Sequence, residues 1–161
     1  MSVITALAPP LANEPQGQAR DELVLTSEQR ANPHLAVQTV GGRTLRISLP
    51  RGTELHDGDV VLRENGLTIV IRAADEALLW LTPQDSVTDW NAACYQLGNL
   101  HRPVRFLDGG VLTPSDPLAL QVLRGLDVSL QEVTRPFVGR RFGAAGAHHH
   151  RGDGDRHHHH S

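Results

Sequence analysis

The stretch from 76 to 138 carries the pattern that most restricts the fold. Ala77-Leu78-Leu79-Trp80-Leu81 is a continuous apolar run, as a strand buried on both faces requires. Pro83 and then Asp85 or Ser86 open a helix. In it Val87, Trp90, Cys94 and Leu97 recur at three and four residues, giving one apolar stripe, and Gly98 is set to end it. Residues 104–107 and 111–113 flank Gly109-Gly110 and predict a hairpin. Asp116 and Pro117 then start a second helix: the carboxylate caps free amides, and proline sits where a missing N–H costs nothing. Leu118, Val122 and Leu126 face one way along it, with Gly125 near its end. Residues 128–134 predict a last strand.

The first half reads differently. Leu45, Ile47 and Leu49 alternate with Thr44, Arg46 and Ser48, the period of a half-buried strand. Gly41-Gly42, Asp57-Gly58 and Asn65-Gly66 supply turns, the last a type I′ hairpin signal, and 68–72 predict another strand. No helical period interrupts this region. Residues 1–20, rich in Ala, Pro, Gln and Gly without a period, are expected to form a disordered leader. The fold class is therefore α+β. A small all-β domain spans 21–75, and a βαββαβ domain of ferredoxin-like order spans 76–138. A disordered His-rich tail spans 139–161.

Composition narrows the function. Aromatic residues make up only 4%, so Leu, Val and Ile must build the core. The net charge of −3 leaves no electrostatic footprint for nucleic acid. Apolar stretches fall far short of the ~20 residues a membrane span needs, and the opening segment lacks the charged start of a signal peptide. The 15 basic residues are all arginine, which removes P-loop and Schiff-base lysine chemistry. Cys94 stands alone, so an intrachain disulfide is impossible and a reducing, cytoplasmic setting is expected. As a single thiol it reads first as a small buried apolar residue.

Seven of the 10 histidines lie within the last 14 residues: His148, His149 and His150, then a spacer bearing Asp and Arg, then His157, His158, His159 and His160. The spacer distinguishes these clusters from an engineered hexahistidine. Neutral imidazole suits Ni(II), Zn(II) and Cu(II) alike. In the folded part, His34 and His56 read as exposed turn residues. His101 differs, because it follows Gly98 and Asn99 at the helix end. Both of those tolerate left-handed backbone angles, so a tight turn there would project His101 from a fixed scaffold. A metal-dependent hydrolase would need three folded ligands and a general base, and no H-E-x-x-H or comparable cluster is present.

The stretch Cys94-Tyr95-Gln96-Leu97-Gly98-Asn99-Leu100-His101-Arg102-Pro103 resembles the Y-x-L-G-N-R-H-x-P motif of the UreE-type urease accessory proteins, which are nickel metallochaperones. Asp108-Gly109-Gly110, Asp116 and Leu123-Arg124-Gly125-Leu126 are similar to the family's following hairpin and helix. Upstream, the stretch from Arg51 to Val60 resembles its R-G-T-x-L-x-D-G-D segment. The similarity runs over about 35–138 in two blocks of matching order, and a His-rich tail is frequent in the family.

The resemblance implies a homodimer joined through the C-terminal domain, with His101 of each subunit binding one shared metal ion. It implies capture of Ni(II) and delivery to the urease accessory GTPase UreG and the urease apoprotein, which is carriage and not catalysis. Three departures stand out. Leu100 replaces the usual Arg, Gln96 holds a place where many members carry histidine, and Thr113-Pro114-Ser115-Asp116-Pro117 lacks the histidines often found there. Donors beyond His101 must then come from the tail, from water or from a partner. The alternative from another class is a β-rich peptide-binding module with a metal-storage tail.

Overall fold

A computed structural model describes residues 2–10 and 17–141. The N-terminal domain is built from two three-stranded sheets. In the first, β4 (Thr44–Ser48) lies between β1 (Ser2–Ile4) and β3 (His34–Gln38). In the second, β6 (Leu67–Ala73) lies between β2 (Ala19–Leu25) and β5 (Val60–Glu64). The alternation read at Leu45, Ile47 and Leu49 puts all three in the shared core with Leu23, Leu25, Leu55, Ile69 and Ile71. Asn65 and Gly66 both take positive φ, 49° and 74°, as the type I′ hairpin between β5 and β6 demands.

Two expectations for this half are corrected. Residues 2–10 do not form a disordered leader: β1 pairs in parallel with β4, Ile4 is buried in the core, and the Ala8 amide donates to the Val60 carbonyl at 2.9 Å. A three-residue strand shows no period, so only its partner reveals it. The domain is sheet-rich but not all-β, because α1 (Ser27–Ala31) follows β2. Its signal was local. Thr26 accepts from the Gln29 amide while the Gln29 side chain accepts from the Thr26 amide, a capping box.

Asp21 locks the loop between β3 and β4. Its buried carboxylate accepts from Thr39 Oγ1 at 2.7 Å, Arg43 Nη1 at 2.7 Å, and the amides of Gly41 at 2.9 Å and Glu22 at 2.8 Å. A Cβ on Gly41 would sit 2.6 Å from Asp21 Oδ2, so the close approach requires glycine. Burial pushes the carboxyl's pKa up, but the donors from Thr39, Gly41, Glu22 and Arg43 outweigh it and hold the group at about 2. The folded value lies below that of an unfolded aspartate. The contribution is therefore present above about pH 4 and is lost as pH falls towards 2. Asp21→Asn should cost about 2 kcal/mol at neutral pH. It should also flatten the acid limb of a stability–pH curve measured by urea titration; an unchanged limb would refute the assignment.

The C-terminal domain contains β7 (Asp75–Pro83), α2 (Val87–Asn99), β8 (Pro103–Leu107), β9 (Gly110–Pro114), α3 (Pro117–Leu123) and β10 (Val128–Pro136) in chain order. The sheet order is β10-β7-β9-β8, with a short strand β11 (Arg140–Arg141) added beyond β8. The apolar run is the middle of β7, flanked by β10 and β9. Leu79 and Leu81 pack against Ala93, Leu97, Ala119 and Leu123 of the two helices. Leu78 turns to the other face and packs with Leu112 and Phe137, with Trp80 beside them.

Of the expected helical stripes, Trp90, Cys94, Leu97, Val122 and Leu126 do pack in or against the core beneath the helices, but the first residue of each does not. Val87 is 71% exposed and Leu118 also faces solvent, whereas the buried helical residues are Ala93, Leu97, Ala119 and Leu123. Both exposed residues occupy first turns, and alanine lets the helices sit close to the sheet. The tail expected from Gly139 begins later, since Arg140 and Arg141 pair with Val104 and Pro103 in β11.

Candidate metal centre

His101 is positioned by the way α2 ends. The helix begins at Ser86, whose hydroxyl accepts from the Asp89 amide at 3.1 Å. Asp127 accepts from the Ser86 amide, and the Asp127 amide donates to Asp89, so the helix start is tied to the loop before β10. At the other end, His101 N–H donates to the Gly98 carbonyl at 3.0 Å and Arg102 N–H to the Leu97 carbonyl at 3.4 Å. These are the two bonds of a Schellman motif, with Leu100 as C-cap and His101 in the left-handed position that follows.

The strain lies two residues beyond Asn99, past the pair expected to bear it. Gly98 and Asn99 remain helical, and His101 itself takes a φ of +52°. Glycine is the usual occupant of that position, since an L side chain there costs about 1 kcal/mol or more. The imidazole is exposed. It enters none of the side-chain hydrogen bonds among the described residues.

The segment after the turn is pinned. Arg102 forms an ion pair with Asp116 Oδ2, while Asp116 Oδ1 accepts from the amides of Leu118 at 2.8 Å and Ala119 at 3.1 Å. One carboxylate thus caps α3 and holds the residue next to His101. Thr113 Oγ1 donates to the Pro103 carbonyl at 3.1 Å, tying the start of β8 to β9. The capping role of Asp116 was legible in the Asp-Pro pair. Its pairing with Arg102 was not, because the two lie on different elements.

Around the turn the surface is apolar. A hollow of about 310 Å³ is lined by Cys94, Leu97, Gly98, Arg102, Val104, Phe106 and Val111. Phe106 on β8 is 59% exposed and Tyr95 on α2 is 73% exposed. Cys94 is half-buried in the wall of the hollow, and burial pushes its thiol pKa up. Its neutral form is favoured, which suits packing rather than ligation.

The other two described histidines, His34 and His56, lie in the N-terminal domain. His34 is exposed on β3 with Nδ1 3.4 Å from Ser48 Oγ, and the His56 amide donates to Asp59 at 2.7 Å in a turn. Among the described residues no group of three or more His, Cys, Asp or Glu side chains converges. His148, His149, His150, His157, His158, His159 and His160 lie outside the described residues. Strand β11 has a bearing on them all the same. It sets Arg141 opposite Pro103, two residues from His101.

Comparison with known proteins bears on the same two halves. The family model for the UreE urease accessory protein N-terminal domain matches residues 4–74, and that for its C-terminal domain matches 76–161. The chain belongs to the UreE family. The urease accessory proteins UreE of Burkholderia lata and Burkholderia orbicola are each 36% identical to it over 128 residues, or 80% of this chain. That of Burkholderia vietnamiensis is 35% identical over the same length. The alignments cover 61%, 62% and 64% of these relatives, so the chain spans about three fifths of their length. A two-domain UreE architecture follows, sheet-rich at the N-terminal end and mixed α+β at the other. No helix among the described residues is long and apolar enough to cross a membrane.

Proposed function

We propose that this protein is a nickel metallochaperone that captures Ni(II) and delivers it for assembly of the urease metallocentre. The carrying observation is His101, an exposed imidazole held at a left-handed helix end where glycine would be the relaxed choice. Strain of this kind persists where the side chain has work to do. One imidazole cannot retain an ion alone. The reading therefore requires a homodimer joined through the C-terminal domain, in which two copies of His101 across a two-fold axis share one ion. The exposed Phe106 and Tyr95, and the apolar hollow beside them, supply surface for such a contact.

The remaining donors are assigned to the tail, 139–161. Six residues lie between Arg141 and His148, seven Cα steps that span at most about 25 Å. Because Arg141 pairs with Pro103, the first histidine cluster lies within reach of His101. Tethering of this sort gives an effective concentration on the order of millimolar. His148, His149, His150, His157, His158, His159 and His160 then act as a collector, and His101 as the shared site. Zn(II) and Cu(II) would bind the same imidazoles in vitro. Transfer proceeds by ligand exchange, so the protein is a carrier and not an enzyme.

The sheet order β10-β7-β9-β8 with both helices on one face supports the ferredoxin-like reading of 76–138. Recipients are proposed to be the accessory GTPase UreG and the urease apoprotein, in the cytoplasm. A second reading is favoured by the edge strand β3, beside a hollow of about 320 Å³ lined by His34, Leu35, Ala36, Arg46, Ile47 and Ser48. There the domain of 21–75 receives an extended peptide of a partner by strand addition. Deleting 1–75 should then cost partner binding and leave metal binding intact.

Truncation after Gly146 tests the collector. Nickel bound per dimer should fall to one ion in equilibrium dialysis, against several for the full chain. Equal stoichiometry in the two forms overturns the collector reading. Uptake by the full chain should also weaken as pH drops through about 6.5, where imidazole protonates.

A further inference from the structure

We propose that Arg30 and Phe137 form a latch between the two domains, which holds β11 against β8 and so fixes where the chain beyond Arg141 begins. Its consequence for metal transfer rests on the function proposed above; the latch itself does not.

The chain must cross the sheet to make β11. Pro136 ends β10 opposite Asp75 at one edge, and Arg140 pairs with Val104 at the other. Only residues 137–139 make the crossing. They pass over the face away from the helices, because Phe137 packs there with Leu78 and Leu112 and is 1% exposed. Gly139 lies flat on that ring. A Cβ on it would sit 2.2 Å from Phe137 Cζ and 2.9 Å from the Val104 carbonyl oxygen, so a side chain here would push β11 off β8.

The N-terminal domain grips the crossing from outside. Arg30 Nη2 donates to the Phe137 carbonyl across the domain junction. Arg30 is 2% exposed, and its own carbonyl accepts from the Leu55 amide at 2.8 Å, which fixes the backbone behind it. Among the described residues, its buried Nε has no hydrogen-bond partner. A guanidinium sunk under these terms is expensive, and an apolar side chain of similar volume would suit stability as well or better. Its position instead supplies a directed donor to one carbonyl. Ser27, at the opposite end of α1, donates through its amide and hydroxyl to Glu76 at 2.9 and 2.8 Å. One short helix thus holds the C-terminal domain at two points, the start of β7 and the crossing.

Two paired residues are too few to hold a strand in place unaided. The occupancy of β11 therefore depends on the carbonyl grip and on the Phe137 plug. Releasing Arg30 frees the two-residue strand first and leaves the four-stranded sheet intact. Arg30 and Phe137 are in this sense positioning residues for the segment that follows Arg141.

The test is amide hydrogen exchange by NMR on the full metal-free chain, for wild type, Arg30→Met, Arg30→Lys and Phe137→Leu. Protection of the amides that bond β11 to β8 should fall at least tenfold in Arg30→Met and Phe137→Leu. Amides of α2 and β7 should keep theirs, and Arg30→Lys, which still donates, should restore part of the loss. Unchanged β11 protection in Arg30→Met, with the protein folded, overturns the latch. So does a uniform loss across the domain, which would make Arg30 a general packing residue. A nickel arm separates the two proposals. Stopped-flow transfer from tail to His101 should slow severalfold in Arg30→Met with stoichiometry unchanged. Loss of β11 protection with an unaltered transfer rate upholds the latch and overturns tail-to-site transfer.

Discussion

Replacing His101 with alanine is expected to abolish the ion shared between subunits and to leave the tail's capacity intact. In equilibrium dialysis of the tail-truncated form, nickel should drop from one ion per dimer to none. In the full chain, the high-affinity event should vanish while weaker binding persists. Backbone geometry supplies a control. His101 has a φ of +52°, so glycine relaxes the turn, whereas alanine keeps its cost. His101→Gly should therefore stabilise the domain by about 1 kcal/mol while binding no better than the alanine variant. A structural histidine would show the opposite, with stability lost and metal binding unmoved. Retention of one tightly held ion per dimer in either variant would end the case for His101.

The second large effect is on the fold. A Cβ at Gly110 would lie 2.2 Å from the Leu81 carbonyl oxygen and 2.7 Å from the Trp80 ring. The first contact is backbone in the adjoining strand, so no side-chain rotation relieves it. Gly110→Ala must push β9, the central strand of the sheet, away from β7. A loss of about 3–4 kcal/mol is expected, at the upper end for overpacking of a core. The urea midpoint should fall with its slope unchanged. A loss under about 1 kcal/mol would show that the hairpin accommodates the methyl group by a local shift. Gly109, one residue earlier, has a φ of +84° and open space around it, so its requirement is conformational. Two adjacent glycines are thus needed for different reasons.

Much of the candidate site was readable because its signals are local. The apolar run, the Asn65-Gly66 turn and the Asp116-Pro117 helix start each lie within a few residues. Each corresponds to an element in the place expected. The helix end before His101 was also foreseen, but its geometry was not. Gly98 and Asn99 are the better candidates for left-handed angles by residue type, yet His101 carries them. Burial of Leu97 and the Arg102–Asp116 pair set how far α2 runs. Intrinsic preference differs by about 1 kcal/mol, which such contacts override.

The two strands that were missed share one property. Strand β1 has three residues and β11 two, too short to display any period. Each exists because a partner strand offers unpaired backbone groups, and a plug or core residue holds it there: Ile4 for β1, Phe137 for β11. No local pattern marks Arg30 either: it is buried at 2% exposure and its guanidinium reaches the Phe137 carbonyl of the other domain.

The linear order of residues thus determined the division into a sheet-rich half and an α+β half, and singled out His101. These depend on periodicity, turn chemistry and capping, which act between neighbours in the chain. Tertiary structure alone decided which residue bears the strained angle, and brought Arg141 beside Pro103. It also joined Arg30 to Phe137. The last two link residues 38 and 107 positions apart. The closure entropy of such contacts is met by burial of the whole core, so no local pattern announces them.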